Sequence, residues 1–261
     1  KNKMSTVRMT ATVIHQEPIG TGIYSMQLQA DAIAAEAKAG QFVNLYSKDG
    51  ARLLPRPISL CEIDAVSGTI RLVYRTVGKG TEEFSVLHTG AELEIMGPLG
   101  NGFQKRTGMA ILMGGGIGIP PMLQLAKELS QMNTQVQVIL GYRDEIFLDT
   151  DFEAYAKVYY ASEDGKHGVK GNVMDALRAY ELSGDVIYAC GPMPMLRAIQ
   201  TYALEQKVEA QLSLEERMAC GVGACLACVC QSKEKDHHTN VNNKRICKDG
   251  PVFFAGEVEI E

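Results

Sequence analysis

Four cysteines near the C-terminal end have a spacing that suits one-electron chemistry. Cys220, Cys225 and Cys228 lie in the run Cys-Gly-Val-Gly-Ala-Cys-Leu-Ala-Cys, and Cys247 follows after a polar stretch. The pattern C-x4-C-x2-C plus one distant cysteine is that of four thiolates around a plant-type [2Fe–2S] cluster. A compact cluster needs a backbone tight enough to aim several sulfurs inward, and Gly221 and Gly223 supply the unusual dihedrals. The same soft ligands could form a structural zinc site. Zinc sites, however, are usually built from two short Cys-x-x-Cys pairs, and only Cys225 and Cys228 make one here. A disulfide framework is a weaker rival, because a chain of 261 residues can bury a core without staples. Cys230, two residues beyond Cys228, lies outside the C-x4-C-x2-C pattern and is read as a non-ligand.

Two glycine-containing turns suit a dinucleotide. Gly114, Gly115, Gly116 and Gly118 follow an apolar run and precede Ile119-Pro120-Pro121 and an amphipathic stretch. Glycine lets a diphosphate approach the backbone, and the start of a helix offers free amides and a favourable dipole. Close packing would explain such a turn about as well. Cys190, Gly191 and Pro192 form a second turn after an apolar strand, where a small buried thiol is an equal reading of Cys190. Two such turns on one sheet edge point to a nicotinamide pocket. Arg143 could meet a 2′-phosphate, but adjacent Asp144 and Glu145 would repel it, which favours NAD over NADP.

Earlier in the chain, Arg56, Pro57, Ile58 and Ser59 offer a planar cation and a hydroxyl suited to a flavin diphosphate. Val73, Tyr74 and Arg75 follow, and then Gly80 and Thr81 in a segment whose amides could wrap phosphate. His15, His88, His167, His237 and His238 are scattered, and no residue is assigned a catalytic role.

The elements that must position these residues fall into three textures. Residues 1–104 run in short β-rich segments (8–14, 22–29, 41–46, 58–63, 69–74 and 92–96), which predicts a small antiparallel barrel. Residues 105–212 alternate strands (110–113, 135–142, 158–161, 186–190) with helices (120–132, near 152, 172–178, 194–207), which predicts a doubly wound parallel sheet. Residues 213–261 form a small cysteine-bearing module, with 232–245 as an exposed loop. The fold class is thus α/β plus all-β.

The composition, 46% hydrophobic and 22% charged with a net charge of −5, is that of a soluble globular chain. Its mild acidity argues against general binding to nucleic acid or anionic membranes. The most apolar stretch, 109–126, is broken by glycines and prolines and is not read as a membrane span. No signal-peptide pattern opens the chain at Lys1-Asn2-Lys3, and seven cysteines then suggest a reducing cytoplasm.

Taken in order, Arg56-Pro-Ile-Ser59, the Gly114–118 turn and Cys190-Gly-Pro resemble the ferredoxin-reductase family of flavoproteins. Gly97-Pro-Leu-Gly-Asn-Gly-Phe103, Glu216-Arg-Met-Ala-Cys-Gly-Val-Gly-Ala-Cys225 and Cys247-Lys-Asp-Gly-Pro-Val-Phe253 are similar to the electron-transfer subunits of the two-subunit, NAD-dependent dihydroorotate dehydrogenases of bacteria. The resemblance covers nearly the whole chain. It departs from the wider family at Ile58, where an aromatic residue is usual; the dihydroorotate subgroup also uses isoleucine there. The resemblance implies FAD on the barrel at residues 56–59, 73–75 and 80–81. It implies NAD at 114–118 and 190–192, and a [2Fe–2S] cluster on Cys220, Cys225, Cys228 and Cys247. It also implies an FMN-containing dihydroorotate dehydrogenase catalytic subunit as partner, in a heterotetramer of two of each chain serving pyrimidine biosynthesis. The chain is too short to add a (β/α)8 barrel, and no residue set marks an orotate site. Alone it is expected to oxidise NADH with artificial acceptors but not to oxidise dihydroorotate. Alternatives are the small FAD/[2Fe–2S] subunit of an NADH-dependent ferredoxin:NADP oxidoreductase or sulfide dehydrogenase, or a zinc-stabilised nucleotide-sensing module.

Overall fold

The structure, a computed structural model, describes residues 6–235 and 240–260. His237, His238, part of the polar 232–245 segment and the outermost ends of the first and third segments lie outside the described residues.

The β-rich part closes into a six-stranded antiparallel barrel in the order β1-β2-β5-β4-β3-β6. The strands are β1 (Val7–Gly20), β2 (Ile23–Gln29), β3 (Phe42–Tyr46), β4 (Arg56–Asp64), β5 (Thr69–Arg75) and β6 (Glu92–Leu99). Alternating positions face inward, as a period of two requires: Met26, Leu28, Val43, Leu45, Leu60, Ile70, Leu72, Leu93 and Ile95 pack into one core. Two short helices, α1 (Asp31–Ala34) and α2 (Lys79–Ser85), pack onto this core through Ile33 and Ala34 and through the fully buried Phe84.

The next part alternates strands and helices: β7 (Met109–Gly115), α3 (Pro120–Ser130), β8 (Gln135–Tyr142), α4 (Asp149–Phe152), β9 (Lys157–Ser162), β10 (Val169–Lys170), α5 (Val173–Ala179), β11 (Val186–Cys190), α6 (Met193–Gln206) and β12 (Glu209–Ser213). These strands pair in parallel in the order β10-β9-β8-β7-β11-β12. Ala110, Leu112, Val138 and Leu140 face α3 on one side, while Ile111, Met113 and Ile139 face α5 and α6 on the other. The chain leaves β7 towards β8 and later returns to β11 on its other flank. The crevice between β7 and β11 is therefore the switch point at which open α/β sheets bind ligands.

The last part adds β13 (Val229–Gln231), β14 (Asn243–Arg245) and β15 (Val252–Phe254). β15 pairs antiparallel with β12 and so extends the α/β sheet by a seventh strand. Phe253, Val258 and Ile260 share a core with the sheet and with Cys228 and Cys247. The Gln200 amide on α6 donates to the carbonyls of Ala255 (2.7 Å) and Val258 (2.8 Å).

Side-chain contacts tie the barrel to the sheet. Gln124 Oε1 on α3 accepts from the buried Ile63 N–H at 2.8 Å. Arg71 pairs with Glu62 at 2.8 Å and with Asp151 at 2.6 Å. Glu145 accepts from the Thr21 N–H at 2.8 Å.

Candidate cofactor cleft and cluster site

A cleft of about 930 Å³ opens where the three parts meet, at the upper end of the roughly 300–1,000 Å³ usual for cofactor sites. β4 delivers Arg56, Pro57, Ile58 and Ser59 to one wall, and β5 brings Val73, Tyr74 and Arg75 beside them. Arg56 packs against Gly80 and donates to the Leu54 carbonyl. Among the described residues it has no carboxylate partner. A cation facing a cleft without a counter-ion suits a diphosphate. The Ser59 hydroxyl, also facing the cleft, makes no hydrogen bond within the described protein. Tyr74 borders the cleft, but its ring is buried and stacked near Tyr24, with its hydroxyl donating to Gln16. Gly80 and Thr81 lie in the first turn of α2. The Thr81 oxygen accepts from the Val77 and Gly78 amides and so caps the start of this helix.

The two glycine turns come together. Cys190 at the end of β11 lies in register with Gly114 at the end of β7. A Cβ on Gly118 would stand 2.3 Å from the Cys190 carbonyl oxygen, so only glycine permits this approach. Gly114 and Gly115 are closed on by Ile119 and Met195, and Gly191 is also covered by Met195. Gly116 faces open space with φ of +53°. Packing thus accounts for most of these glycines, and Gly116 is the one among them left open. Ile117 and Cys190 extend this crevice into the cleft. Burial, the nearby Glu215 charge and a Ser213 hydrogen bond act on the Cys190 thiol, whose pKa is pushed up to about 12, so it is neutral. Arg143, Asp144 and Glu145 are all exposed after β8, and the Glu145 carboxylate accepts from the barrel at the Thr21 N–H.

Sequence reasoning missed part of the wall. Arg52, Leu53 and Leu54 border the cleft on the barrel side, as do Ser213, Leu214, Glu215, Glu216, Arg217, Met218 and Pro251 on the other. The sequence hint was adjacency: Leu54 leads into Arg56, and Met218 lies two residues before Cys220.

The four predicted ligands converge. Gly221 (φ +69°) and Gly223 (φ +81°) turn the loop through left-handed conformations. Backbone amides then point at sulfur. Val222 and Ala224 donate to Cys220 Sγ at 3.4 and 3.3 Å, Gly223 to Cys247 Sγ at 3.1 Å, and Cys247 N–H to Cys228 Sγ at 3.4 Å. Partial burial opposes ionisation of Cys220, but the amides of Val222, Cys225 and Ala224 and the Cys225 thiol outweigh it and bring its pKa down to about 6. Burial and the neighbouring Cys228 push Cys247 up to about 12. The Cys225 thiol acts on Cys220, and Cys228 and Cys220 both act on Cys247. Among the described residues no three His, Cys, Asp or Glu side chains gather as ligands of one ion. Four soft donors with sulfur-directed amides fit a two-iron cluster. Cys230 sits on β13 opposite Lys244, half-buried, with its thiol raised to about 11 by burial. All seven cysteines are free of disulfides. The fourth-ligand turn is pinned by Arg245, which pairs with Asp249 at 3.0 Å and donates to the Gly223 carbonyl at 3.2 Å. Asn101 also grips it through the Lys248 and Asp249 carbonyls.

A flavin-type barrel, a dinucleotide sheet and a four-thiolate loop around one cleft define an oxidoreductase of the ferredoxin-reductase class. Residues 112–201 match the family described as the oxidoreductase NAD-binding domain, and residues 215–259 match the iron-sulfur cluster binding domain of dihydroorotate dehydrogenase B. The dihydroorotate dehydrogenase B (NAD(+)) electron transfer subunit of Geobacillus thermodenitrificans is 41% identical over 258 residues, 96% of this chain and 98% of that one. The subunit of the same name from Fusobacterium nucleatum is 38% identical over 261 residues, again 96% and 98%. The chain belongs to this family of electron transfer subunits. Among solved structures, one described as an NADH-dependent reduced ferredoxin-NADP oxidoreductase superposes with a TM-score of 0.86 at 27% identity, over 96% of this chain and 90% of that one. A ferredoxin reductase of carbazole 1,9a-dioxygenase shares the fold at 22% identity and a TM-score of 0.64, over 78% and 67%. No helix among the described residues is long and apolar enough to cross a membrane.

Proposed function

We infer that the chain passes electrons between a dihydroorotate-oxidising, FMN-containing partner subunit and NAD, holding FAD on the barrel and a [2Fe–2S] cluster on Cys220, Cys225, Cys228 and Cys247. The observation that carries this reading is the shared cleft. Arg56 and Ser59 of the barrel, Ile117 and Cys190 of the nucleotide sheet, and Met218 of the cluster loop all line it. When bound, nicotinamide exchanges a hydride and an iron–sulfur centre single electrons, and flavin chemistry links the two. The chain's own residues supply placement. Arg56 offers a charge-assisted contact to a flavin diphosphate, and Ser59 a hydroxyl to the ring side of the cleft. The open turn at Gly116 with the crevice at 190–192 receives the nicotinamide nucleotide. Amides of residues 222–224 stabilise thiolate charge.

The outer side of the cluster loop is the reading's docking surface. Val222, Ala224, Leu226 and Ala227 are exposed around the exposed Cys225, and Leu226 is 60% accessible. An apolar strip beside a redox ligand suits a partner that must come close. Leu226→Glu is expected to abolish NAD reduction by dihydroorotate in the assembled enzyme, with NADH oxidation by a flavin-level artificial acceptor retained. Visible absorption should show flavin and [2Fe–2S] bands unchanged in that variant. Survival of both activities would move the docking surface elsewhere, and a wild-type spectrum without either band would overturn the whole reading.

A further inference from the structure

Asn44 lies at the middle of β3, between Val43 and Leu45, which both face the barrel core. Strand alternation therefore sends Asn44 to the outer surface of the barrel. That surface should be wet, yet Asn44 is 0% exposed, because the cluster loop lies on it. Its Nδ2 donates to the Cys220 carbonyl at 3.2 Å, across 176 positions of sequence. The carboxamide also lies flat against Gly221, where a Cβ would stand 2.4 Å from Nδ2 and 2.9 Å from Oδ1. Among the described residues, Asn44 Oδ1 is the buried side-chain polar atom without a hydrogen-bond partner. A leucine of similar size would fill the space without leaving an acceptor orphaned. The half of the amide that is used grips the peptide between Cys220 and Gly221. The next turn of backbone then aims the Val222 and Ala224 amides at Cys220 Sγ. Across the ladder, Asn44 pairs with Pro57, next to Ile58 and Ser59 of the cleft wall.

We propose that Asn44 is a positioning residue for the cluster: its carboxamide registers the Cys220–Gly221 peptide against the flavin-bearing barrel and so sets the hydrogen bonds received by the Cys220 sulfur. The proposal rests on the reading that these cysteines hold a [2Fe–2S] cluster. Backbone hydrogen bonds to cluster sulfurs favour the reduced, more negative state. Losing the Asn44 grip should loosen them and make the cluster harder to reduce.

The test compares Asn44→Leu, which removes the donor, with Asn44→Ser, which keeps a shorter one, in the full chain purified with its flavin, cluster and any partner subunit. The readouts are iron content, the g-values of the reduced cluster by electron paramagnetic resonance, and its midpoint potential. Asn44→Leu is expected to alter the g-values and to lower the reduced-to-oxidised ratio at a fixed potential about tenfold, which is about 59 mV for a one-electron couple. Asn44→Ser should fall between Leu and wild type. If Asn44→Leu instead loses its iron, Asn44→Ser should retain most of it. A Leu variant with wild-type potential and g-values, or Leu and Ser variants equally impaired, overturns the proposal while leaving the cluster reading intact. Wild-type protein without a reduced-cluster signal overturns both.

Discussion

At the scale of residues, the chain sets groups where charge has to be held. Arg56 is a half-buried cation whose one protein hydrogen bond is to a neighbouring carbonyl, with its face left to the cleft. A charge-assisted hydrogen bond contributes about 1.5–3 kcal/mol, which corresponds to about one to two orders of magnitude in affinity. Arg56→Ala is accordingly expected to weaken FAD binding by that factor, measured as flavin released on dialysis. Full occupancy after exhaustive dialysis would show that the diphosphate is held elsewhere. The cysteines follow the same logic. Cys220 receives two backbone N–H groups that help to bring its thiol pKa down, whereas burial pushes the half-buried Cys230 thiol up. Spacing by itself does not set Cys230 apart from Cys228, because residues two apart in an extended segment share a face; in the structure Cys230 lies on β13, which begins after Cys228.

At the scale of elements, α3 links the two nucleotide sites. It begins directly after the Gly116–Gly118 turn, and one turn later Gln124 reaches the amide of Ile63 on β4, the strand that begins at Arg56. Gln124 is 6% exposed there and uses both ends of its amide, the oxygen serving β4 while the nitrogen donates to Glu128. Gln124→Leu would strand a buried N–H at a cost of about 1–3 kcal/mol, and a domain of this size loses about 2–4 °C in Tm per kcal/mol. Thermal unfolding followed by flavin fluorescence checks this, and an unchanged Tm would mean that the link carries no stability. Helical periodicity placed α3, but the same periodicity gave no hint that Gln124 faces another module. The glycine segment around Gly80 shows local structure that composition did not specify: the Thr81 hydroxyl captures the Val77 and Gly78 amides and starts a helix.

At the scale of the molecule, the cluster segment shares its packing with the nucleotide sheet. β15 extends that sheet, and Phe253, 2% exposed, packs in one core with Leu212, Cys228 and Cys247. Removing such a ring costs about 3–5 kcal/mol. Phe253→Ala is therefore expected to lower the thermal stability of the sheet and to release iron in the same transition, read by cluster absorbance and far-ultraviolet circular dichroism on one sample. Iron loss well below the melting of the sheet would instead mark residues 213–261 as an independent unit.

What the linear chain determined was local in its physics. Thiolate spacing, glycines before a helix, period-two runs and alternating strands and helices each depend on residues within a few positions, so the cysteines that converge, Cys220, Cys225, Cys228 and Cys247, and both sheet types were legible. The cleft wall at 213–218, the Asn44–Cys220 contact, the capture of Glu145 by Thr21 and the seventh strand β15 join residues separated by tens to hundreds of positions. Nothing in their local sequence distinguishes them from surface or loop residues. Only closing the barrel and docking it on α3 decides which of them meet, because burial and hydrogen-bond partners are properties of the packed whole.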